Sequence, residues 1–226
     1  VPRSFEWPIW NGRRLSFIAQ FNLKDVPPTV LLLPSEGSLL FFYDAEQGTW
    51  GFDPKDRGSF AVRFIPPTDE LVRANPPPRR SEDGLYSCCR VQFVTGLSLP
   101  PWESKLVEPL RLSDEEADEY SDLLERSLGG DLHQLGGYPD QVQGDMTAEL
   151  PLVTAGLYTG DSSGWEDPRA ENLQKQWSDW RLLFQAGSDD NARMMWGDMG
   201  YLYFWIEEDA LATRSFDRAL MILQCS

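Results

Sequence analysis

The sequence predicts an α+β fold in which two related strand units join into one mixed or antiparallel sheet with helices on its outside. Three observations carry this expectation: short aromatic-rich apolar runs, an echo of the first half's runs in the second, and a strongly acidic amphipathic stretch between them. With 41% hydrophobic and 12% aromatic residues, the 226-residue chain has enough apolar side chain for a real core and too much for disorder.

In chain order, Leu15 to Leu23 (LSFIAQFNL), Glu36 to Asp44 (EGSLLFFYD) and Ala61 to Ile65 (AVRFI) read as the strands of the first unit. The middle one is nearly continuous in apolar character, as a strand covered on both faces requires. Pro27-Pro28, Pro66-Pro67, Pro76 to Pro78 and Pro100-Pro101 mark loops, because proline removes a ladder donor and disfavours helix before it. Leu99 to Ser113 bridges the halves, and its Trp102 and Leu106 are expected to pack down. A helix then follows from about Asp114 to Leu128: Ser113 and Glu116 form a capping box, acids fill the first turn, and Gly129-Gly130 supplies the stop.

Further helices are expected from Asp145 to about Leu150, stopping early at Pro151, and from Asp167 to about Asp179, with Asp167 as cap and Pro168 in the first turn. The second unit comprises Trp180 to Asp190, Met199 to Glu208 and Ala219 to Leu223. Gln20 matches Gln185, Gly37 matches Gly200, Phe41 matches Phe204, Phe42 matches Trp205, and AVRFI aligns with ALMIL. We expect a single domain over 1–226, built of two pseudo-twofold halves at about 1–98 and 113–226, with the sheet continuous across them.

Charge narrows the function. The chain carries 36 Asp and Glu against 20 Lys and Arg, a formal net charge of −16, which argues against nucleic-acid binding through phosphate neutralisation. The excess is local: residues 1–110 hold 12 basic and 13 acidic residues, residues 111–226 hold 8 and 23. In the predicted helix Ala117, Tyr120, Leu124 and Leu128 share one face, and Glu115, Asp118, Glu119, Asp122 and Glu125 gather on the other. That stripe is either a solvated outer face or a docking surface for a basic partner.

Apolar runs such as Val30 to Leu33 are too short to span a bilayer, so a soluble chain with no membrane partner is expected. Because it starts at Val1 rather than Met, a trimmed amino terminus is expected. Three cysteines, Cys88, Cys89 and Cys225, without metal-ligand spacing suit reduced thiols in a cytoplasm.

No GxGxxG or GxxxxGK string occurs, and the lone histidine, His133, has no identifiable catalytic partner. No catalytic residue, metal or cofactor is therefore assigned. Asp140, Asp145, Asp189, Asp190 and Asp198 offer oxygens to a hard cation, with turn and cap roles as the alternative. Met194 to Trp205 (MMWGDMGYLYFW) reads as core strand packing rather than a pocket lining.

SFEWPIWNGRRLSFIAQFNL, LPSEGSLLFFYD, HQLGGYPDQVQGDM and WRLLFQAGSDDNARMMWGDMGYLYFWI together resemble the YwqG-like family of bacterial domains over nearly the whole chain. The family's usual Gly-Gly-x-Pro turn ahead of the first Trp-Pro is missing here. The resemblance implies an α+β fold without established catalytic residues. It also implies a role: related domains act as immunity partners of secreted bacterial toxins, including nuclease effectors of type VI secretion machines.

The expected function is thus a non-enzymatic, cofactor-free cytoplasmic immunity protein that binds a cognate toxin with a basic surface. Glu115, Asp118, Glu119, Asp122, Glu125, Asp140, Asp189 and Asp198 are its candidate contacts. The alternatives are a metal-dependent enzyme using the second-half carboxylates and a scaffold or small-ligand module.

Overall fold

In the computed structural model, which describes residues 1–28, 31–44, 46–75, 84–127 and 133–226, the chain opens with a tight hairpin. Strands β1 (Ile9–Trp10) and β2 (Arg13–Arg14) pair antiparallel. They are joined by Asn11 and Gly12 at φ 47° and 73°, the positive values that a two-residue connection matching strand twist requires. The first unit follows as β3 (Ser16–Asn22), β4 (Ser38–Tyr43) and β5 (Phe60–Ile65), an antiparallel meander in the order β3-β4-β5. After helix α1 (Asp114–Ser127) and the two-residue strand β6 (His133–Gln134) come the short helices α2 (Glu149–Thr154), α3 (Ser162–Trp165) and α4 (Ala170–Gln174). Strands β7 (Trp180–Gly187) and β8 (Tyr201–Glu207), helix α5 (Glu208–Ala212) and β9 (Leu220–Gln224) complete the second unit, whose sheet runs β6-β7-β8-β9.

The two units repeat in register as well as in order. In β3, Phe17 faces Phe42 and Ala19 faces Phe41, with a bulge between; in β7, Leu182 faces Trp205 and Phe184 faces Phe204, with the same bulge between. Gln20 opposite Leu40 thus corresponds to Gln185 opposite Tyr203. The third strand corrects the sequence alignment by one residue. Ala61 faces Phe42 and Leu220 faces Trp205, so Ala61 corresponds to Leu220 rather than Ala219. Every residue from 219 to 223 is apolar and buried, so no in-out alternation was available to fix that register.

The sheet is not continuous across the halves. Two separate sheets pack against each other through a ring cluster in which Phe41 meets Phe184 at 4.8 Å and Phe204 at 5.1 Å, and Phe21 meets Phe184 at 4.8 Å. Each unit's last strand is covered by the other unit's loop, which prevents direct joining. Leu223 of β9 donates its N–H to the Trp50 carbonyl, and the 3-10 turn Phe216–Arg218 lies against β5, with Phe216 and Phe64 rings 5.6 Å apart. Gly51 makes the first approach possible: at φ 92°, a Cβ built there would fall 1.9 Å from the Met221 carbonyl oxygen.

Burial of β4 on both faces explains its unbroken apolar run. Leu39, Phe41 and Tyr43 enter the core shared by the two sheets, while Leu40 and Phe42 pack with Leu15, Ala61 and Ile65 beneath the Phe5, Trp7 and Trp10 side chains. In β8, Tyr203 and Trp205 are covered by the segment 140–150: the Tyr203 hydroxyl donates to the Asp140 carbonyl, and the Trp205 indole contacts the Met146 sulfur at 3.2 Å.

Helices α2 and α4 both start later than expected. Asp145 Oδ1 accepts from the Thr147 N–H and holds a turn, α2 starts at Glu149, and Pro151 lies in its first turn, where no helical N–H is lost. Asp167 likewise caps a turn through the Arg169 N–H, so α4 starts at Ala170 and tightens into a 3-10 turn over Lys175–Asp179. Leu128, the Gly129-Gly130 stop and Pro76 to Pro78 lie outside the described residues. Cys88 and Cys89 are exposed free thiols, and Cys225 is buried. Among the described residues no helix is long and apolar enough to cross a membrane.

One buried acid gives a prediction. Burial raises the Glu149 carboxyl above its ordinary value, and its hydrogen bond to Thr159 only partly offsets this. The single Thr159 hydroxyl proton has two acceptors in reach, Glu149 Oε1 and, at 3.1 Å, the Phe52 carbonyl; a protonated Glu149 that donates to Thr159 satisfies both. A raised acid pKa makes folding less favourable as pH climbs from the ordinary value, about 4.3, through the raised one. Glu149→Gln is therefore expected to melt higher than wild type near pH 7, with the gap closing as the pH approaches about 4. Thermal melts across that range check the sign.

Candidate functional site

Helix α1 stands on the run from 99 to 112, and its cap forms as the sequence dictates. Ser113 N–H and Oγ both lie 2.8 Å from Glu116 Oε2, and the Glu116 N–H returns a bond to Ser113 Oγ. These bonds hold the Glu116 carboxyl below its ordinary value. The inner face touches the body through Tyr120, whose hydroxyl donates to the Pro100 carbonyl at 2.7 Å and whose ring lies 6.4 Å from that of Trp102. Glu115, Asp118, Glu119, Asp122 and Glu125 are all exposed, and none forms an ion pair with a described residue.

The run beneath α1 is a chain of tight turns. Ser104 N–H bonds to the Pro101 carbonyl, Val107 N–H to the Ser104 carbonyl, and Leu110 N–H to the Val107 carbonyl; Arg111 at φ 50° then turns the backbone into the Ser113 cap. Val107 is buried, but Trp102 and Leu106 remain 43% and 42% exposed, contrary to the packing expected of them. Val107, two positions before the Pro109 turn, takes the inward place instead. Trp102, Glu103, Val107, Glu108, Arg111 and Leu112 line an open cleft of about 320 Å³ at the foot of α1.

Asp140 adjoins this face. Its neighbour Gln141 donates to Glu103 Oε2 at 3.1 Å, while Asp140 itself is half-buried, its carboxylate accepting from the Tyr201 hydroxyl at 3.2 Å and its N–H bonding to Gln185 Oε1 at 2.8 Å. Asp189 and Asp198 lie elsewhere, in the connection between β7 and β8. Asp189 is internally committed: burial opposes its charge, but bonds from His133, Asn191 and Ala192 hold its carboxyl below the ordinary value. Asp198 is exposed, and its carbonyl accepts from the Ser226 N–H at 3.2 Å. In the same connection Trp196 is fully buried and Met194 nearly so, with Met195 and Met199 at the surface. Among the described residues no group of three or more His, Cys, Asp or Glu side chains is placed to hold a metal ion.

His133 sits on β6 with both ring nitrogens engaged. Nδ1 accepts from the Gly187 N–H at 3.3 Å, and Nε2 lies 3.3 Å from Asp189 Oδ2. A half-exposed pair of this kind contributes about 0 to 1 kcal/mol. His133→Ala is expected to lower the melting temperature slightly and leave biological function intact; lost function with an unchanged melt would count against the non-enzymatic reading.

The site residues that sequence reasoning missed are Glu103, Glu108 and Arg111. The signal for them was the turn-rich Pro-Pro-Trp and Glu-Pro strings. None of the curated proteins matches the chain in sequence. A family model does: the domain of unknown function DUF1963 matches residues 1–225, and the chain belongs to that family.

Proposed function

We propose that this chain is a non-enzymatic, cofactor-free immunity protein of the YwqG-like kind, acting in the cytoplasm by binding a cognate secreted toxin such as a nuclease effector of a type VI secretion machine. The observation that carries the reading is α1 itself, a 14-residue helix outside the hydrophobic core with five exposed carboxylates on its outer face that form no ion pair with a described residue. A nuclease presents a basic cleft to its substrate, and complementary fields speed capture and fix orientation. Exposed Trp102, Leu106, Leu110 and Leu123 supply apolar surface beside the acids, and an apolar centre with a polar rim is how protein interfaces are built.

Co-production with a toxin encoded beside its gene tests the reading. Cells carrying the wild-type chain are expected to survive, and those carrying Glu115→Lys, Asp118→Lys and Asp122→Lys to be protected less. A wild-type chain that neither binds the toxin nor protects against it contradicts the proposal. A stoichiometric divalent metal in purified protein would favour the enzymatic alternative. A small-ligand module is supported by one observation, a cleft of about 270 Å³ between the halves with Arg57, Phe60, Val153 and Leu220 in its lining. Small carboxylates that raise the melting temperature of wild type but not of Arg57→Glu would favour it.

A further inference from the structure

The cleft at the foot of α1 has a chemistry of its own, distinct from the general acidity of the helix. Its wall is the half-exposed Trp102 indole with Val107 and Leu112, and the exposed carboxylates of Glu103 and Glu108 belong to the same lining. At about 320 Å³ it lies at the small end of the range for ligand pockets, suited to one side chain rather than a helix or strand. From this geometry we infer that the cleft receives an arginine side chain of a basic protein partner, its guanidinium over Trp102 and against Glu103 and Glu108.

Arginine fits on two counts that other side chains do not combine. Its planar cation stacks on an aromatic face, and its fixed fork of N–H donors pairs with carboxylates. Lysine offers a point charge without the stacking plane, and leucine leaves the two carboxylates unused. Gln141 already donates to Glu103 Oε2 and so orients that carboxylate, and no described residue bonds to its Oε1. Among the described residues of the lining Arg111 is the one cation; against it stand Glu103, Glu108 and the outer carboxylates of α1. At φ 50° it occupies a backbone position that suits glycine, so its charge can be removed without harming the turn.

The inference rests on the reading of this face as a partner surface, and a small probe separates the two. The ¹⁵N-labelled chain is titrated with N-acetyl-arginine amide and, separately, with N-acetyl-leucine amide while its nine indole N–H resonances are followed, Trp102 being assigned by its loss in Trp102→Phe. The arginine amide is expected to move the Trp102 resonance saturably. Binding should weaken about tenfold in Glu103→Gln with Glu108→Gln, and tighten about twofold in Arg111→Gly, with every variant keeping the wild-type spectrum elsewhere. A Trp102 resonance unmoved by arginine amide, moved equally by leucine amide, or moved equally in the double Gln variant overturns the inference. If toxin capture succeeds while Trp102 ignores arginine, only the anchor falls. If arginine binds as described but no toxin is captured, the immunity reading falls alone.

Discussion

Phe41→Ala and Phe204→Ala are each expected to destabilise the protein by about 3 to 5 kcal/mol. Both side chains are 0% exposed, and each removes a ring that touches its counterpart at 5.1 Å as well as Phe184. Because one cluster holds both sheets, either deletion opens a cavity where the halves meet and not at a periphery that can collapse. The double variant should lose less than the sum, since the ring pair itself, worth about 0.5 to 1.5 kcal/mol, is counted in each single loss. Urea unfolding of the four proteins measures this. Strictly additive losses would mean that the two sheets do not share a core.

Much of this fold was legible in the sequence because its central strands are buried on both faces and α1 carries a complete cap. LLFFY and LYFWI need cover above and below, so their apolar runs announced strands, and Ser113 with Glu116 announced the start of α1 at the residue where it occurs. Uniform burial also removed information. Without alternation, the partner of Ala61 was misplaced by one residue, and nothing in the strands revealed that loops carrying Trp50 and Phe216 would separate the two sheets. Asp167, expected as a helix cap, and Asp145, expected as a helix start, close turns instead, since an Asp side chain serves both geometries equally.

The candidate site was legible only in part. Periodicity alone placed Glu115, Asp118, Glu119, Asp122 and Glu125 on one face of α1, which stands clear of the core. Asp189 reads identically in sequence, yet its carboxylate is bound by the Asn191 N–H in a local turn and by His133, a contact made only when β6 pairs with β7. The cleft around Trp102 depends on consecutive turns and the left-handed Arg111, and such geometry has no periodic signature.

The second large effect concerns association with a toxin. Reversing Glu115, Asp118 and Asp122 to Lys replaces three exposed negative charges by positive ones in an element whose backbone is held by its own cap and by Tyr120. The fold should survive, because none of the three side chains is in the core. Long-range steering raises association rates by about 10- to 1,000-fold, so the variant is expected to lose at least about tenfold in on-rate at low salt. Truncating a desolvated contact acts differently: it raises the off-rate and costs about 2 to 5 kcal/mol.

Measuring both rate constants for wild type and the triple variant, at low salt and near 1 M, tests the partner-binding role of α1 most directly. Docking through an acidic rim predicts a slower on-rate at low salt, an off-rate close to wild type, and a difference that shrinks near 1 M, where the Debye length falls to about 3 Å. Rates unchanged by the reversal at both salts would contradict it and leave the stripe a solvated face.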